Sequence, residues 1–374
     1  MATVSPFRPS FGTNPPLLVG RDDVIAAMVD ALTSGAGAPG RATLYTGARG
    51  VGKTVMLNEA EAQAREHGWV VVSETATRGL VTRLVEEGLP RAAQLLDFPD
   101  LERRVTGVNL PINLGGITTD ITRDNRPAPG LRTQLTALTD HLAAHDTGLM
   151  ITIDEVHAGD REELRTIGTA VQHHFREERP LILVAAGLPA AIKDLLSDKV
   201  LTFLRRADRH HLGAVDPADV ADALRQPIEH AARHIDDNAL TEAAAGTGGY
   251  PFLIQLVGHW IWRQEPDQTT IDLAQVRQGV TAARRRMGSL IHEPALFDLS
   301  PIDRTFLAAM ATDEGPSQMA DIAARMHVTT NYASQYRLRL ISADMIRPAG
   351  YGRVTLNVPY LREYLREHAA SLDL

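Results

Sequence analysis

The run Gly47-Ala48-Arg49-Gly50-Val51-Gly52-Lys53-Thr54 fits the pattern G-x-x-x-x-G-K-[ST] and follows a short apolar stretch, Ala42 to Tyr45, that reads as a β-strand. A strand, a glycine-rich turn and a helix in immediate succession leave few folds open. The glycines let successive backbone N–H groups curl around phosphates, the Lys53 ammonium adds a mobile positive charge, and the Thr54 hydroxyl can ligate magnesium. All eight residues are candidate contacts to a nucleoside triphosphate, with Thr54 also on the metal.

Around this octet, strand and helix patterns alternate. A helix is expected from Lys53 to about His67, a strand over Trp69 to Ser73 and a helix to about Leu96. A strand over Leu149 to Ile153, a helix from Asp160 to Glu177 and a strand over Leu181 to Ala186 follow. The strands are apolar on both faces, which predicts a parallel sheet covered by helices. Before the octet, Pro6 to Pro16 reads as an extended arm, followed by a helix with Val24, Ile25, Met28, Val29 and Leu32 on one face. Val105 to Arg123 carries a period-two apolar pattern and Gly115-Gly116, so a β-hairpin inserted outside the sheet is expected there. Asn125 to Gly130 is its Pro-rich exit.

The third strand runs into Asp154-Glu155-Val156-His157. An acidic residue at the carboxyl end of a strand beside the phosphate loop can hold magnesium through water, and the next carboxylate can orient an attacking water. Asp154 is the metal-site candidate and Glu155 the general base. His157 reads as a hydrogen-bonding neighbour.

Composition closes off other classes. With no cysteine among 374 residues there is no disulfide, thiolate nucleophile or Cys-ligated zinc, and a reducing, cytoplasmic setting is expected. Met1 to Phe11 lacks the basic start and apolar core of a signal peptide, and no apolar run reaches membrane-spanning length, so no membrane partner is expected. The formal net charge of −8 argues against broad affinity for nucleic acid, so any DNA contact has to be local.

After Leu212 the pattern turns helical: Asp216 to about Arg233, Asp236 to Ala245, Pro251 to about Gln264 and Ile271 to Met287. From Ser300 three helices are expected, opened by Ser300-Pro301, Ser317 and Thr329. A hairpin over Met345 to Arg347 and Arg353 to Asn357 follows, then a closing helix from Tyr360. Three helices and a hairpin make a winged helix-turn-helix.

With these motifs in order, the chain resembles an AAA+/STAND-type P-loop ATPase, of the group that includes archaeal ATPases and origin-recognition initiators. The resemblance implies an α/β P-loop NTPase with a parallel sheet, a helical lid domain and a C-terminal winged helix-turn-helix, with ATP and Mg2+ as ligands. The expected divisions are 1–40 for the arm and first helix, 41–213 for the ATPase core with its hairpin at about 105–123, 214–290 for the lid and 291–374 for the winged domain. Pro15 to Arg21 is similar to the family's "VGR" segment, whose backbone lies against the adenine. Val19, Gly20 and Arg21 are base-side candidates on that ground. Gly248-Gly249-Tyr250-Pro251 resembles the G-x-P element of STAND lids, which makes Pro251 a nucleotide contact. Arg205 and Arg206 stand where related proteins place an arginine finger, a group that supplied in trans raises turnover by roughly 10³ to 10⁵.

The departures from the family pattern matter as well. Val184 to Pro189 offers no polar side chain at the place of the usual sensor, and Arg263 lies about three helical turns beyond Pro251. These features predict slow hydrolysis, stimulated by nucleotide-dependent self-association, in a switch that acts on a protein partner. The alternative is an ATP-dependent DNA-binding regulator of the replication or transposition type, touching DNA through 329–342 and 345–357, with Arg284 to Arg286 as further phosphate contacts. Residues 300 to 374 hold eight Arg plus Lys against eight acids, so that domain is neutral, whereas a DNA reader is usually basic.

Overall fold

The computed structural model describes residues 4–10, 12–96, 99–106 and 129–368. Five parallel strands form the central sheet: β1 (Ala42–Thr46), β2 (Val70–Thr75), β3 (Leu149–Asp154), β4 (Leu181–Gly187) and β5 (Asp208–His211). Their order is β2-β3-β4-β1-β5, so the strand feeding the glycine loop is flanked by β4 and β5. Leu44 pairs with Ala185 on one side and Arg209 on the other, and Asp154 aligns with Thr75. The chain leaves β1 for the far edge of the sheet, returns to its side through β4, and then passes to its other flank. The carboxyl end of β1 is therefore a topological switch point, where open α/β sheets bind ligands.

Alternation within each strand divides the core between the two faces. Tyr45, Met150, Ile182, Val184 and Ala186 join one buried cluster, and Leu44, Ile151, Ile153, Leu183 and Ala185 join the other. The first cluster continues without a break through the helices after β5 and into the C-terminal region, taking in Leu253, Met287, Ile291, Leu296 and Phe306. One core thus ties the sheet to everything that follows it.

After the sheet come helices Pro217–His230, Asp237–Thr247, Pro251–Trp262 and Leu273–Met287, with a two-residue parallel pair, β6 (His234–Ile235) and β7 (Thr270–Ile271), at their side. A π-helical turn, Gly288–His292, leads out of the last of these. Helices Pro301–Ala311, Met319–Arg325 and Thr330–Ser342 follow, then a three-stranded sheet ordered β8 (Ser317–Gln318), β10 (Arg353–Leu356), β9 (Ile346–Pro348), and a closing helix, Leu361–His368. Ser300 and Thr329 cap their helices through the side chain. Ser317 is not a cap but part of β8, and its helix begins at Met319.

Other expectations shift. Val105 and Thr106 close a helix, Pro99–Thr106, so the expected hairpin does not begin there, and its remainder from residue 107 lies outside the described residues. Leu131–Ala143 is a helix that buries Leu131, Leu135, Leu138 and Leu142 at helical spacing. The segment after Phe203 is a 3₁₀ turn, Thr202–Arg206, followed by the edge strand β5. The described residues of the N-terminal arm form neither helix nor strand. The arm is pinned by Phe7, buried against Gly258, by the Arg8 N–H donated to Gln255 Oε1 at 3.1 Å, and by Asn58 Nδ2 donated to the Gly12 carbonyl at 2.9 Å. Among the described residues no helix is long and apolar enough to cross a membrane.

Candidate functional site

The loop after β1 is shaped by glycines that nothing larger replaces. Gly47 has φ +153°, and a Cβ there would stand 2.4 Å from the Leu212 carbonyl oxygen. Gly50 has φ +79°, and its Cβ would meet the Tyr250 hydroxyl at 2.8 Å. Helix Lys53–Glu66 then starts from Gly52, which has no side chain to cap it, so the first-turn N–H groups keep the positive end of the helix dipole open toward the loop. This is the local geometry that receives phosphate.

Lys53 lies inside this loop, only 7% exposed, and its ammonium donates to the carbonyls of Gly47 at 3.0 Å and Ala48 at 2.8 Å. Burial lowers its pKa, while Glu155 and Asp154 raise it. A buried cation held on neutral carbonyls gains from an arriving anion, so this residue fits a phosphate ligand. Thr54 Oγ1 donates to Asp154 Oδ2 at 2.6 Å, linking the first turn of the helix to the end of β3. Asp154 Oδ1 accepts the Glu155 N–H at 2.7 Å. Among the described residues no three His, Asp or Glu side chains gather into a metal cage. A hydroxyl and one carboxylate suit a magnesium ion that takes its remaining ligands from phosphate and water.

Glu155 sits in the left-handed region at φ +54°, an uncommon conformation for a non-glycine residue. Its Oε2 lies 3.0 Å from His157 Nδ1. Burial, with smaller contributions from Arg49 and Lys53, pushes the His157 pKa down, opposed by Glu155 and Asp154. A neutral imidazole then places its proton on Nδ1 for the carboxylate to accept, which orients the Glu155 side chain.

The remaining candidates lie around one cavity of about 730 Å³. That size falls within the roughly 300–1,000 Å³ of small-molecule sites. The arm contributes Pro15, Leu18, Val19 and Arg21, the phosphate loop Arg49 to Thr54, and the helix Pro251–Trp262 its Pro251 and Phe252. Arg21 spans from the arm to the Gly213 carbonyl at 2.6 Å, and burial lowers its pKa. Gly20 packs against Val215 and Asp219 behind this wall. Pro251 opens its helix at the first position, and the Phe252 N–H donates to the Gly50 carbonyl at 3.1 Å.

Arg205 and Arg206 are not brought to the cavity. They precede β5 at the amino end of the sheet, exposed, with Arg205 Nε on the Leu196 carbonyl at 3.0 Å. Within one chain they cannot reach the loop, so any contact of theirs with nucleotide is to a neighbouring copy.

Sequence reasoning missed the C-terminal share of the site. Ser289, Leu290, Ile291 and Pro294 line the cavity, and Arg49 of the loop pairs with Asp298 at 2.9 Å. Nothing in the local sequence around 289–298 signals a ligand. Only the π-helical turn, a feature frequent at functional sites, marks the place, and it is a property of the folded backbone.

Residues 17–184 match the family described as AAA ATPase domain, and residues 289–365 match a domain of unknown function (DUF8462). No curated protein matches the sequence. Among solved structures, the chain is similar to the Walker-type ATPase PABY2304 of Pyrococcus abyssi at 14% identity and a TM-score of 0.69, over 95% of this chain and 97% of that one. It is similar to the Aeropyrum pernix ORC2 protein in its ADPNP–ADP complexes at 16% identity and a TM-score of 0.61, over 98% of both. The ADP form of the ORC2 protein gives 15% identity and a TM-score of 0.54, over 98% of both. At these identities the likeness is one of fold, and it extends over nearly the whole chain. The span that matches the AAA ATPase domain family, residues 17–184, contains the phosphate loop, Asp154 and Glu155.

Proposed function

We propose that the protein binds and slowly hydrolyses ATP, and that the bound nucleotide sets the position of the lid and of the C-terminal region, which acts as a winged helix-turn-helix. The observation that carries this reading is the composition of the cavity wall, which joins the phosphate loop, the arm, the lid helix from Pro251 and residues 289–294. A ligand filling that space touches every part of the chain that a switch would have to move.

In this reading Gly47 to Thr54 bind the phosphates, and the backbone at Val19 to Arg21 with Pro251 forms the base side. Thr54 and Asp154 would hold magnesium, which would supply positive charge against the transferred phosphoryl group. Glu155, oriented by His157, takes the proton of the attacking water. Arg205 or Arg206 of a neighbouring copy supplies the further positive charge, so turnover rises on assembly. The apolar end of β4, where Val184 to Gly187 are buried strand residues, leaves no polar side chain to read the γ-phosphate from that side, in keeping with slow turnover.

A second reading has its own observation. Helix Thr330–Ser342 exposes Asn331, Gln335 and Arg339, and Tyr351 at the tip between β9 and β10 is fully exposed beside the exposed Arg347 and Arg353. This is the surface a DNA-binding regulator of replication or transposition would use.

One experiment tests both. The size of the purified chain is measured with ADP, ATP and a non-hydrolysable analogue, with and without duplex DNA across a salt series. The switch predicts that ATP and ADP give different sizes, and identical sizes in all nucleotide states overturn it. Salt-dependent DNA binding supports the second reading, and its absence in every nucleotide state removes it.

A further inference from the structure

We infer that the chain assembles head to tail, with Phe297 of one copy seated in a small arginine-rimmed aromatic cavity at the amino end of the next copy's sheet. The inference rests on the reading that Arg205 or Arg206 acts on a neighbouring copy, and it adds the two surfaces that bring them there.

The cavity, of about 200 Å³, lies against the start of β1 and the turn Thr202–Arg206. Phe175 and Phe203 wall it, their rings edge to face with centroids 6.0 Å apart. Arg41, only 5% exposed, lies over the Phe175 ring with its Cζ 4.9 Å from the centroid. Its guanidinium donates to carbonyls alone, those of Leu181 at 3.1 Å, Ala36 at 2.7 Å and Arg179, and among the described residues no carboxylate pairs with it. Three bonds leave two of its five N–H donors over. Arg206, also on the wall, is exposed and has no ion-pair partner among the described residues. A buried cation without a counter-ion, beside a free one, makes a hole that is apolar inside and positive at its rim. Its room is that of one large side chain, below the roughly 300–1,000 Å³ of small-molecule sites.

The complementary surface stands at the other end of β1. Phe297 closes the short helix Glu293–Phe297 with its ring 85% exposed, although Ala295 and Leu296 just before it are buried. Glu293 and Asp298 flank it and are exposed, so the ring stands on an acidic surface. Asp298 pairs with Arg49 at 2.9 Å, which fixes this knob beside the phosphate loop. When knob and hole are joined, ring meets rings and carboxylates meet guanidinium groups. The two patches differ and lie at opposite ends of one strand, so their contact is heterologous and leaves each copy able to take a further neighbour. The same seating carries Arg206, a wall of the hole, and Arg205 beside it to the neighbour's Asp298 and hence to the neighbour's phosphate loop. A second copy is therefore the occupant that accounts for the knob, the hole and the two arginines that their own chain keeps from the nucleotide.

Phe297→Ala, Phe203→Ala and their equimolar mixture test this in the full chain. Sedimentation velocity with a non-hydrolysable ATP analogue reads assembly, and specific phosphate release against protein concentration reads its consequence. Each variant alone is expected to assemble at least roughly tenfold more weakly than the wild type and to lose the rise of turnover with concentration. Nucleotide affinity and turnover at low concentration should be kept. In the mixture, Phe297→Ala copies still carry the hole and its arginines, and Phe203→Ala copies still carry the knob and a phosphate loop. Pairs should form and part of the rise should return, which damage to the fold of either variant would not allow. Variants that assemble and turn over as the wild type does, or a mixture that behaves as the sum of its parts, overturn the inference while nucleotide binding and action in trans stand. A wild type whose size and turnover are independent of concentration overturns the inference and the trans reading together. Should Phe203→Ala fail to fold, Phe297→Ala, which alters only an exposed ring, decides the outcome, with Arg206→Glu as its partner in the mixture.

Discussion

Thr54 Oγ1 and Asp154 Oδ2, one hundred positions apart in the chain, are 2.6 Å apart in the fold, across the ends of β1, β4 and β3. Hydroxyl and carboxylate are thereby held as a pair next to the buried Lys53, and in the proposed reading they are the oxygens that would face magnesium. Lys53→Ala removes the side-chain charge that donates to the loop carbonyls of Gly47 and Ala48. ATP affinity should fall at least roughly tenfold, since a charge-assisted contact to phosphate is lost. The melting temperature without nucleotide should stay within a few degrees, because removing the side chain also removes a buried charge. Titration calorimetry and a melting curve check both. Unaltered affinity would place the phosphates elsewhere.

Glu155→Gln keeps the size and the left-handed backbone demand of the residue but removes its basicity. ATP binding should persist while phosphate release drops by roughly 10² to 10⁴. The companion change, His157→Ala, leaves Glu155 chemically intact and removes the group 3.0 Å from its Oε2. It should cost less, about tenfold in turnover, with affinity unaltered, as befits a residue that only positions another. Equal losses for the two variants would mean that His157 acts directly on the proton.

Much of this site could be read before the fold was known, and the boundary between what could and could not follows the range of the interactions. The octet, Asp154 and Glu155 were legible because their chemistry is local: a glycine loop after a strand, and acids at a strand end. The edge strand β5 was not. Asp208-Arg209-His210-His211 is polar throughout, since an edge strand paired only with β1 needs no apolar run. Leu131, Leu135, Leu138 and Leu142 carry a helical period, but the reading of Asn125 to Gly130 as a Pro-rich exit assigns no helix after it. Asp298 had no signal at all. Its contact with Arg49 depends on which surface the C-terminal region turns toward the loop, and no local pattern around it encodes that.

Arg205 and Arg206 sit at the amino end of the sheet, on the far side from the loop. Their replacement by alanine should leave ATP affinity unaltered and turnover at low protein concentration unaltered as well. Turnover at high concentration should fall, since only a neighbouring copy can bring either guanidinium to a nucleotide. A plot of specific phosphate release against protein concentration reads this directly. Turnover that is independent of concentration in the wild type, or reduced in the variants at every concentration, rules out action in trans.

Gly50→Ala places a methyl group 2.8 Å from the Tyr250 hydroxyl and forces alanine to φ +79°. The strain should cost roughly 1–3 kcal/mol and fall on the contact between the loop and the start of helix Pro251–Trp262. Denaturant midpoints measure the cost, and ADP affinity should weaken in parallel because Phe252 loses its hold on the Gly50 carbonyl. A variant as stable as the wild type would show that Tyr250 yields without resistance.

His292 joins the π-helical turn to the closing segment of the C-terminal region, donating from Nε2 to the Pro359 carbonyl at 2.8 Å, while its Nδ1 is buried without a partner among the described residues. Burial pushes its pKa down to about 4, against opposing contributions from the Pro359 carbonyl and Glu363. In the unfolded chain the group titrates near its ordinary value of about 6.5. Between those two values the unfolded state binds more protons than the folded one, so stability is fully present above about pH 6.5 and is lost as pH falls toward 4. The loss attributable to this one residue is on the order of 3 kcal/mol across that window. His292→Phe retains a ring to pack on Tyr364, which lies 5.1 Å from the native imidazole. Urea midpoints from pH 7 to pH 4.5 should therefore decline more steeply for the wild type than for the variant. Because Ile291 and Pro294 beside it line the cavity, the acid-induced loss should appear first as weaker nucleotide binding and only then as global unfolding. Parallel declines in the two proteins would mean that His292 is already charged in the folded chain or that other groups govern the acid limb.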